Sequence, residues 1–370
     1  MRLLHRYLAK EILLPFAAGL LFLTQILLAT QLLAQADVLF GSGVSLVDVG
    51  AVIVFLLPYF LGYVLPIAFL LGAVLGVGRL AEDREVVALG AAGFSPAFLV
   101  PVPLALGVAV AGVGLWLSLE AVPASLDAAR TRLNEIVKHN VMNDVRPGTF
   151  YDQIPGYTLY AQRVHGGRWE NVLISDRSDP SAPVLALAHG GRLEPVGAGE
   201  EMRLVLDDGE VHREQVDSDE YVLATFRRAE VVLGLGTALS DRNAVSRTGR
   251  EGVAELRARA AEARAKGDVV GARRAEGTLH RRIASALAVI PFALLAVPLG
   301  ASRRAGRAFG VGSTFLVVVA HYLLLRAGEV MAQRGALPAA LALELPTLVL
   351  SALALALIAI QVHRGTGAVR

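Results

Sequence analysis

Six long apolar stretches limit what this chain can fold into. The hydrocarbon core of a bilayer takes about 20 apolar residues per helix. Inside it every backbone polar group must be satisfied within the protein, which makes such stretches helices. They run over Ile12–Leu33, Val47–Val77, Ala97–Leu119, Ile283–Gly300, Phe309–Leu325 and Leu341–Val362, the last carrying only Glu344 near one end. Val47–Val77 is long enough to tilt or to extend beyond the hydrocarbon. With 54% hydrophobic residues and a mean hydropathy of +0.54, the 370-residue chain is too apolar for a soluble domain.

The basic residues orient the spans. With a cytoplasmic N-terminus, the inside segments hold Arg2, Arg6, Lys10, Arg79, Arg84, Arg303, Arg304, Arg307, Arg364 and Arg370. The short outside loops then hold only Arg326 and Arg334. The reversed topology inverts this bias, so both termini are expected in the cytoplasm and Pro123–Arg282 outside. His280, Arg281 and Arg282 run against the rule, but long translocated segments largely escape it. Lys10 and the Ala34-Gln35-Ala36 triplet resemble parts of a signal peptide. The apolar region between them exceeds the usual 7–15 residues, which favours an uncleaved anchor.

Composition changes after Pro123. Leu126, Leu133, Ile136 and Val137 mark an amphipathic helix. Alternating runs follow at Thr149–Gln153, Thr158–Val164, Asn171–Ser175, Val184–Ala188, Met202–Leu206, Glu210–Gln215 and Tyr221–Phe226. Pro155-Gly156, Gly166-Gly167 and Asp208-Gly209 supply turn signals, the last a hairpin candidate between Leu206 and Val211. Strands without intervening helices predict a β-sandwich or jelly roll, with edges that a like fold in a partner could extend. The polar Ser240–Leu279 stretch reads as one or two helices or as a solvated linker, with Thr248 and Glu251 at capping-box spacing. The expected organisation is spans one to three over 1–122, the β domain with its leading helix over 123–235, a helical connector over 236–280 and spans four to six over 281–370.

Several chemistries lack their residues. There is no cysteine, so thiol and disulfide chemistry are excluded. No lysine sits in a phosphate-loop context, and neither H-E-x-x-H nor G-x-S-x-G occurs. No span holds a lysine or a pair of aspartates. No cofactor is expected, and any ATP-driven work requires a separate ATPase.

Four features could carry function. The Gly78–Pro96 loop, with a helix expected over 79–94, puts Arg79, Glu82 and Glu85 within reach of one helical face. Val86, Val87 and Leu89 offer apolar contact, and Ser95-Pro96 reads as the start of span three. Such a helix suits docking to another protein, or it is a solvated connector. In span one, Thr24, Gln31 and Gln35 fall within roughly 40° of one another at 100° per residue. That stripe faces a wet cavity or bonds to a neighbouring helix. Pro58, Pro66, Pro291 and Pro298 interrupt spans, and Gly72 and Gly76 form a G-x-x-x-G face, features that serve packing. At the outer rim, Arg281, Arg282 and Arg326, with Glu329, either meet lipid phosphates or snorkel and pair.

Together these residues resemble the lipopolysaccharide-export permease family, LptF/LptG. The resemblance covers nearly the whole chain. It rests on the order of spans and β domain, and on L-A-E-D-R-E-V-V-A-L-G-A-A-G-F-S at Leu80–Ser95. L-H-R-R-I-A at Leu279–Ala284, V-P-L-G at Val297–Gly300 and G-A-L-P at Gly335–Pro338 add to it. The resemblance implies an ABC transporter permease in the bacterial inner membrane, with a periplasmic jelly-roll domain. It implies pairing with a second permease, which is a sister subunit or a second copy. A cytoplasmic ATPase dimer would dock at Glu82, Asp83, Arg84 and Glu85, the family's docking glutamate falling on Glu85. Lipid would enter between the first and fifth spans of opposed subunits and pass to a periplasmic bridge protein, and the polar stripe of Thr24, Gln31 and Gln35 is the expected lining of that entry. Where the family commonly has basic residues at the outer end of span one, this chain has Gln31, Gln35 and Asp37, so a less phosphorylated or a different outer-membrane lipid stays open as the substrate. The alternative function is a membrane-anchored scaffold or receptor that binds envelope partners through its β domain. Such a protein has no use for an ATPase dock.

Overall fold

The computed structural model describes residues 2–34, 45–143, 147–151, 156–165, 167–177, 183–196, 201–214, 221–233, 247–301 and 307–364. Six of its helices are long and apolar enough to cross a membrane: Arg2–Leu33, Val47–Glu82, Pro96–Arg132, Val269–Gly300, Phe309–Arg334 and Ala339–His363. All six expected spans are thus present, each longer than its apolar centre. The chain forms two compact units, one of residues 1–30, 56–125 and 250–370, the other of residues 31–55 and 126–249. The second unit therefore takes in residues 31–55, between the first two spans, as well as the expected β domain.

In the helical unit, α1 (Arg2–Ala34) and α2 (Leu46–Glu82) are followed by the short α3 (Glu85–Ala91). Span three begins as a 3₁₀ turn at Pro96–Leu99, continues as α4 (Pro101–Trp116), and passes through a π-helical stretch at Leu117–Ala121 into α5 (Val122–Asn143). The core gathers Leu8 and Ile12 of α1, Phe69, Leu70 and Val77 of α2, and Val102 and Ala111 of α4. Small residues bring the backbones close. A Cβ on Gly72 would lie 2.6 Å from the Cα of Phe16, and one on Gly76 would lie 2.7 Å from the carbonyl oxygen of Glu11. The G-x-x-x-G face is the seam between α1 and α2. Pro15, inside α1, has no N–H to offer the Glu11 carbonyl, which is the group lying against Gly76.

The connector after the β domain is helical: α6 (Arg247–Arg250), α7 (Val253–Ala265) and α8 (Val269–Leu287). Thr248 lies within α6 rather than capping a helix with Glu251. The Gly252 N–H, three residues before Glu255, donates to that carboxylate at 3.0 Å. Span four breaks at Ala288 between α8 and α9 (Val289–Gly300). Pro291 accounts for the break, because it cannot donate to the carbonyl of Leu287. α10 (Arg307–Arg334) and α11 (Ala339–Arg364) complete the bundle.

The inserted all-β domain is a six-stranded antiparallel sheet: β1 (Phe150–Tyr151), β2 (Tyr157–His165), β3 (Arg168–Asp176), β4 (Val184–Val196), β5 (Glu201–Glu214) and β6 (Tyr221–Leu233). The strands lie in sequence order, each paired with its neighbours. Among the described residues this is a meander, without the crossovers of a jelly roll. One buried face carries Leu159, Ala161, Trp169, Val172, Ile174, Leu204 and Leu206. The expected Asp208-Gly209 hairpin is overturned, because β5 runs straight through both residues. Gly209 pairs with Ala188 on one side and Phe226 on the other. Local turn propensity yields here to pairing on both edges. The glycine is required for space, since a Cβ would collide with the Leu187 carbonyl and the Phe226 ring.

Candidate functional site: the loop between spans two and three

The expected single helix over 79–94 is two helices. α2 ends at Glu82, and Arg84 turns the chain with φ 60 and ψ 12, a left-handed conformation uncommon outside glycine. Arg79 and Glu82 therefore sit on the last turn of α2 and Glu85 on the first turn of α3, so they do not share one helical face. α3 closes in a Schellman motif: Phe94 N–H donates to Leu89 O, Gly93 N–H to Gly90 O, and Gly93 takes φ 87. Ser95 then stands at the N-cap of the 3₁₀ turn in extended conformation, without a side-chain bond, and Pro96 follows as its first residue.

The loop presents one face outward and one inward. Glu82, Asp83, Arg84, Val87 and Ala88 are exposed, while Val86 is buried and Leu89 half-buried. Glu85 is half-buried, and its Oε1 accepts a hydrogen bond from the Tyr7 hydroxyl at 3.2 Å. Arg79 pairs with Glu11 at 2.8 Å and lies 3.9 Å from Asp83. The His5 and Phe98 rings meet at 5.3 Å between centroids, and Phe98 also contacts Phe94 at 4.9 Å. The N-terminal three turns of α1 thus touch the end of α2, the start of α3 and the segment after it. The Arg79 side chain is 55% exposed, so its pair contributes at most about 1 kcal/mol to stability, and its role is geometric.

His5, Tyr7 and Glu11 were not singled out by the sequence reading. The signal available was the i, i+4 spacing of Tyr7 and Glu11 at the polar head of an apolar helix, which puts both on one face.

The other expected site residues are placed separately. Thr24 is buried. Gln31 is half-buried, and Gln35 lies outside the described residues. Arg281 and Arg326 share one carboxylate: Glu329 Oε1 lies 3.4 Å from Arg281 Nε, and Oε2 accepts from Arg326 at 2.6 Å. Arg282 donates to the Glu251 carbonyl at 2.8 Å, which directs it to the connector. Arg326 has the most open side chain of the three-residue ion cluster, at 73% exposure.

On the sheet, a groove of about 610 Å³ is lined by Tyr160, Leu173, Leu187, His189, Thr225 and Phe226, among others. Asn171 and Asp208, both left-handed at φ 49, lie on its wall. His189 Nδ1 is 2.9 Å from the carbonyl oxygen of Asp208.

The sequence matches the lipopolysaccharide export system permease LptF/LptG family over residues 6–359. The chain belongs to that family. A comparison with curated proteins gave no match. The family match takes in every candidate residue above except His5. An LptF/LptG chain is a transporter permease subunit and a multi-pass inner-membrane protein, and membership implies a lipopolysaccharide-transport complex with other subunits. For an LptF/LptG permease the Gly78–Pro96 loop is the candidate site best defined by geometry, having an ordered inner face and an exposed outer one.

Proposed function

We propose that this chain is the membrane-spanning subunit of an ABC transporter that extracts lipopolysaccharide, or a related lipid, from the inner membrane. Both termini lie in the cytoplasm and the β domain in the periplasm, as the basic-residue bias supports. ATP is hydrolysed by a separate cytoplasmic ATPase dimer. It docks on the exposed face of the loop, at Glu82, Asp83, Arg84 and the free edge of Glu85, with Val87 and Ala88 as apolar contact. A second permease completes the path. Lipid enters beside span one near Gln31, its headgroup meets Arg326 and Arg281, and closure of the pair drives it toward the β domain. The groove on the sheet is apolar enough to hold an acyl chain before transfer to a periplasmic bridge protein.

The single observation that carries this reading is the family match over residues 6–359, which spans both the helical bundle and the inserted sheet. An acidic side chain on a docking face accepts charge-assisted hydrogen bonds, which are stronger than neutral ones.

The test is purification in a native detergent followed by mass spectrometry of bound proteins and lipids. An ATPase, a permease partner and a lipopolysaccharide-like lipid are expected. Recovery of an envelope protein held by the β domain, with no ATPase, would support the scaffold alternative instead.

A further inference from the structure

Span one meets the loop at three points. The Tyr7 hydroxyl bonds Glu85 on α3, Glu11 pairs with Arg79 on the last turn of α2, and the His5 ring packs on Phe98 beyond α3. Just past these contacts, Gly72 and Gly76 hold the backbone of α1 against α2 at Phe16 and Glu11, with no side chain between them. α1 itself is one helix of 33 residues from this end to Ala34. A segment gripped at three places and backed by a close helix seam moves with what grips it.

We propose that Tyr7 and Glu11 are positioning residues that yoke span one to the docking segment, so that a displacement of α3 is delivered to span one directly. This rests on the reading of the loop as an ATPase dock. It adds that the dock drives two spans, α2 through the chain and α1 through side chains. Glu85 then has two duties, one carboxylate oxygen holding Tyr7 and the other left for the partner. The Arg84 turn makes this possible, since it separates α3 from α2 and leaves Glu85 facing α1.

The test uses the full permease complex with its co-purified ATPase in proteoliposomes, with lipopolysaccharide as the probe. The reading is lipid released per ATP hydrolysed, alongside retention of the ATPase on the affinity-tagged permease. Tyr7→Phe removes only the hydroxyl. It is expected to keep the ATPase bound and to lower release per ATP about tenfold, the factor that one hydrogen bond to a charged group is worth. Arg79→Glu is expected to lower the same ratio, and Glu11→Arg combined with Arg79→Glu to restore most of it. Recovery by the swapped pair separates a yoke from a general loss of folding. An unchanged ratio in Tyr7→Phe, or no recovery in the swapped pair, overturns the yoke while leaving the dock in place. A wild-type permease that retains no ATPase overturns dock and yoke together.

Discussion

The backbone of Phe16 occupies the space that a side chain on Gly72 would need: a Cβ there would lie 2.6 Å from the Phe16 Cα and nitrogen. The packing of the first two spans is therefore set by an absence of side chain. A larger residue has to push the helices apart, and overpacking of this kind typically costs about 1–3 kcal/mol. Gly72→Leu should lower the thermal midpoint of the detergent-solubilised permease. Gly112→Leu should leave it unchanged, because a Cβ at Gly112 meets nothing within 4 Å. Equal midpoints for the two variants would show that the seam tolerates bulk.

Gly209 offers the same kind of test in the sheet. It pairs with both neighbouring strands, and a Cβ would run into the Leu187 carbonyl and the Phe226 ring. Gly209→Ala is expected to destabilise the β domain by about 1–3 kcal/mol. Limited proteolysis should then cut the β domain first and leave the spans protected. Wild-type cleavage in Gly209→Ala would contradict the close approach of the neighbouring strands at this position.

These two glycines show where sequence reading succeeds and where it stops. Hydropathy alone placed six spans, because the bilayer demands length and apolarity that no loop supplies. Strand positions followed from alternation, yet the runs expected at Met202–Leu206 and from Glu210 onward fall in one strand, Glu201–Glu214, with Gln215 outside the described residues. Asp-Gly is a strong local turn former, but pairing of β5 on both edges outweighs that preference. At Arg84 the failure is the reverse. Nothing local marks a break between Glu82 and Glu85, and a left-handed arginine is a choice made by tertiary packing. The loop between spans two and three was legible as a segment, whereas its bonds to Tyr7 and Glu11 join residues far apart in sequence. The sharing of Glu329 by Arg281 and Arg326 was legible only as one of two options, ion pairing or headgroup contact.

Orientation can be read chemically, since the chain has no native cysteine. Cysteines introduced at Ser42, Asp208 and Arg304 should divide into two classes under a membrane-impermeant thiol reagent. In intact spheroplasts, positions 42 and 208 are expected to label and position 304 to stay unlabelled. Labelling at 304 with protection at 208 would invert the proposed topology.

The lipid path makes a directional prediction. Gln31 is half-buried, while Thr24 is enclosed on the same helix. A photocrosslinking residue at Gln31 should capture lipopolysaccharide, with weaker capture at Leu27 and Ala29. Capture at Thr24 should be weakest, because its side chain is 6% exposed. Uniform capture at all four positions would mean that the helix is sampling bilayer lipid.

Glu85 gives the most direct measurement of coupling between ATP hydrolysis and lipid export. The permease, purified with its ATPase, is reconstituted in proteoliposomes, and lipopolysaccharide release is followed on addition of ATP. Removing one partner of a buried charged contact costs about 2–5 kcal/mol. Glu85→Ala should therefore leave a folded permease in the membrane, weaken retention of the ATPase and abolish most ATP-dependent release. Glu82→Ala, at an exposed position on α2, should do less. Wild-type retention and wild-type release in Glu85→Ala would contradict coupling through this loop.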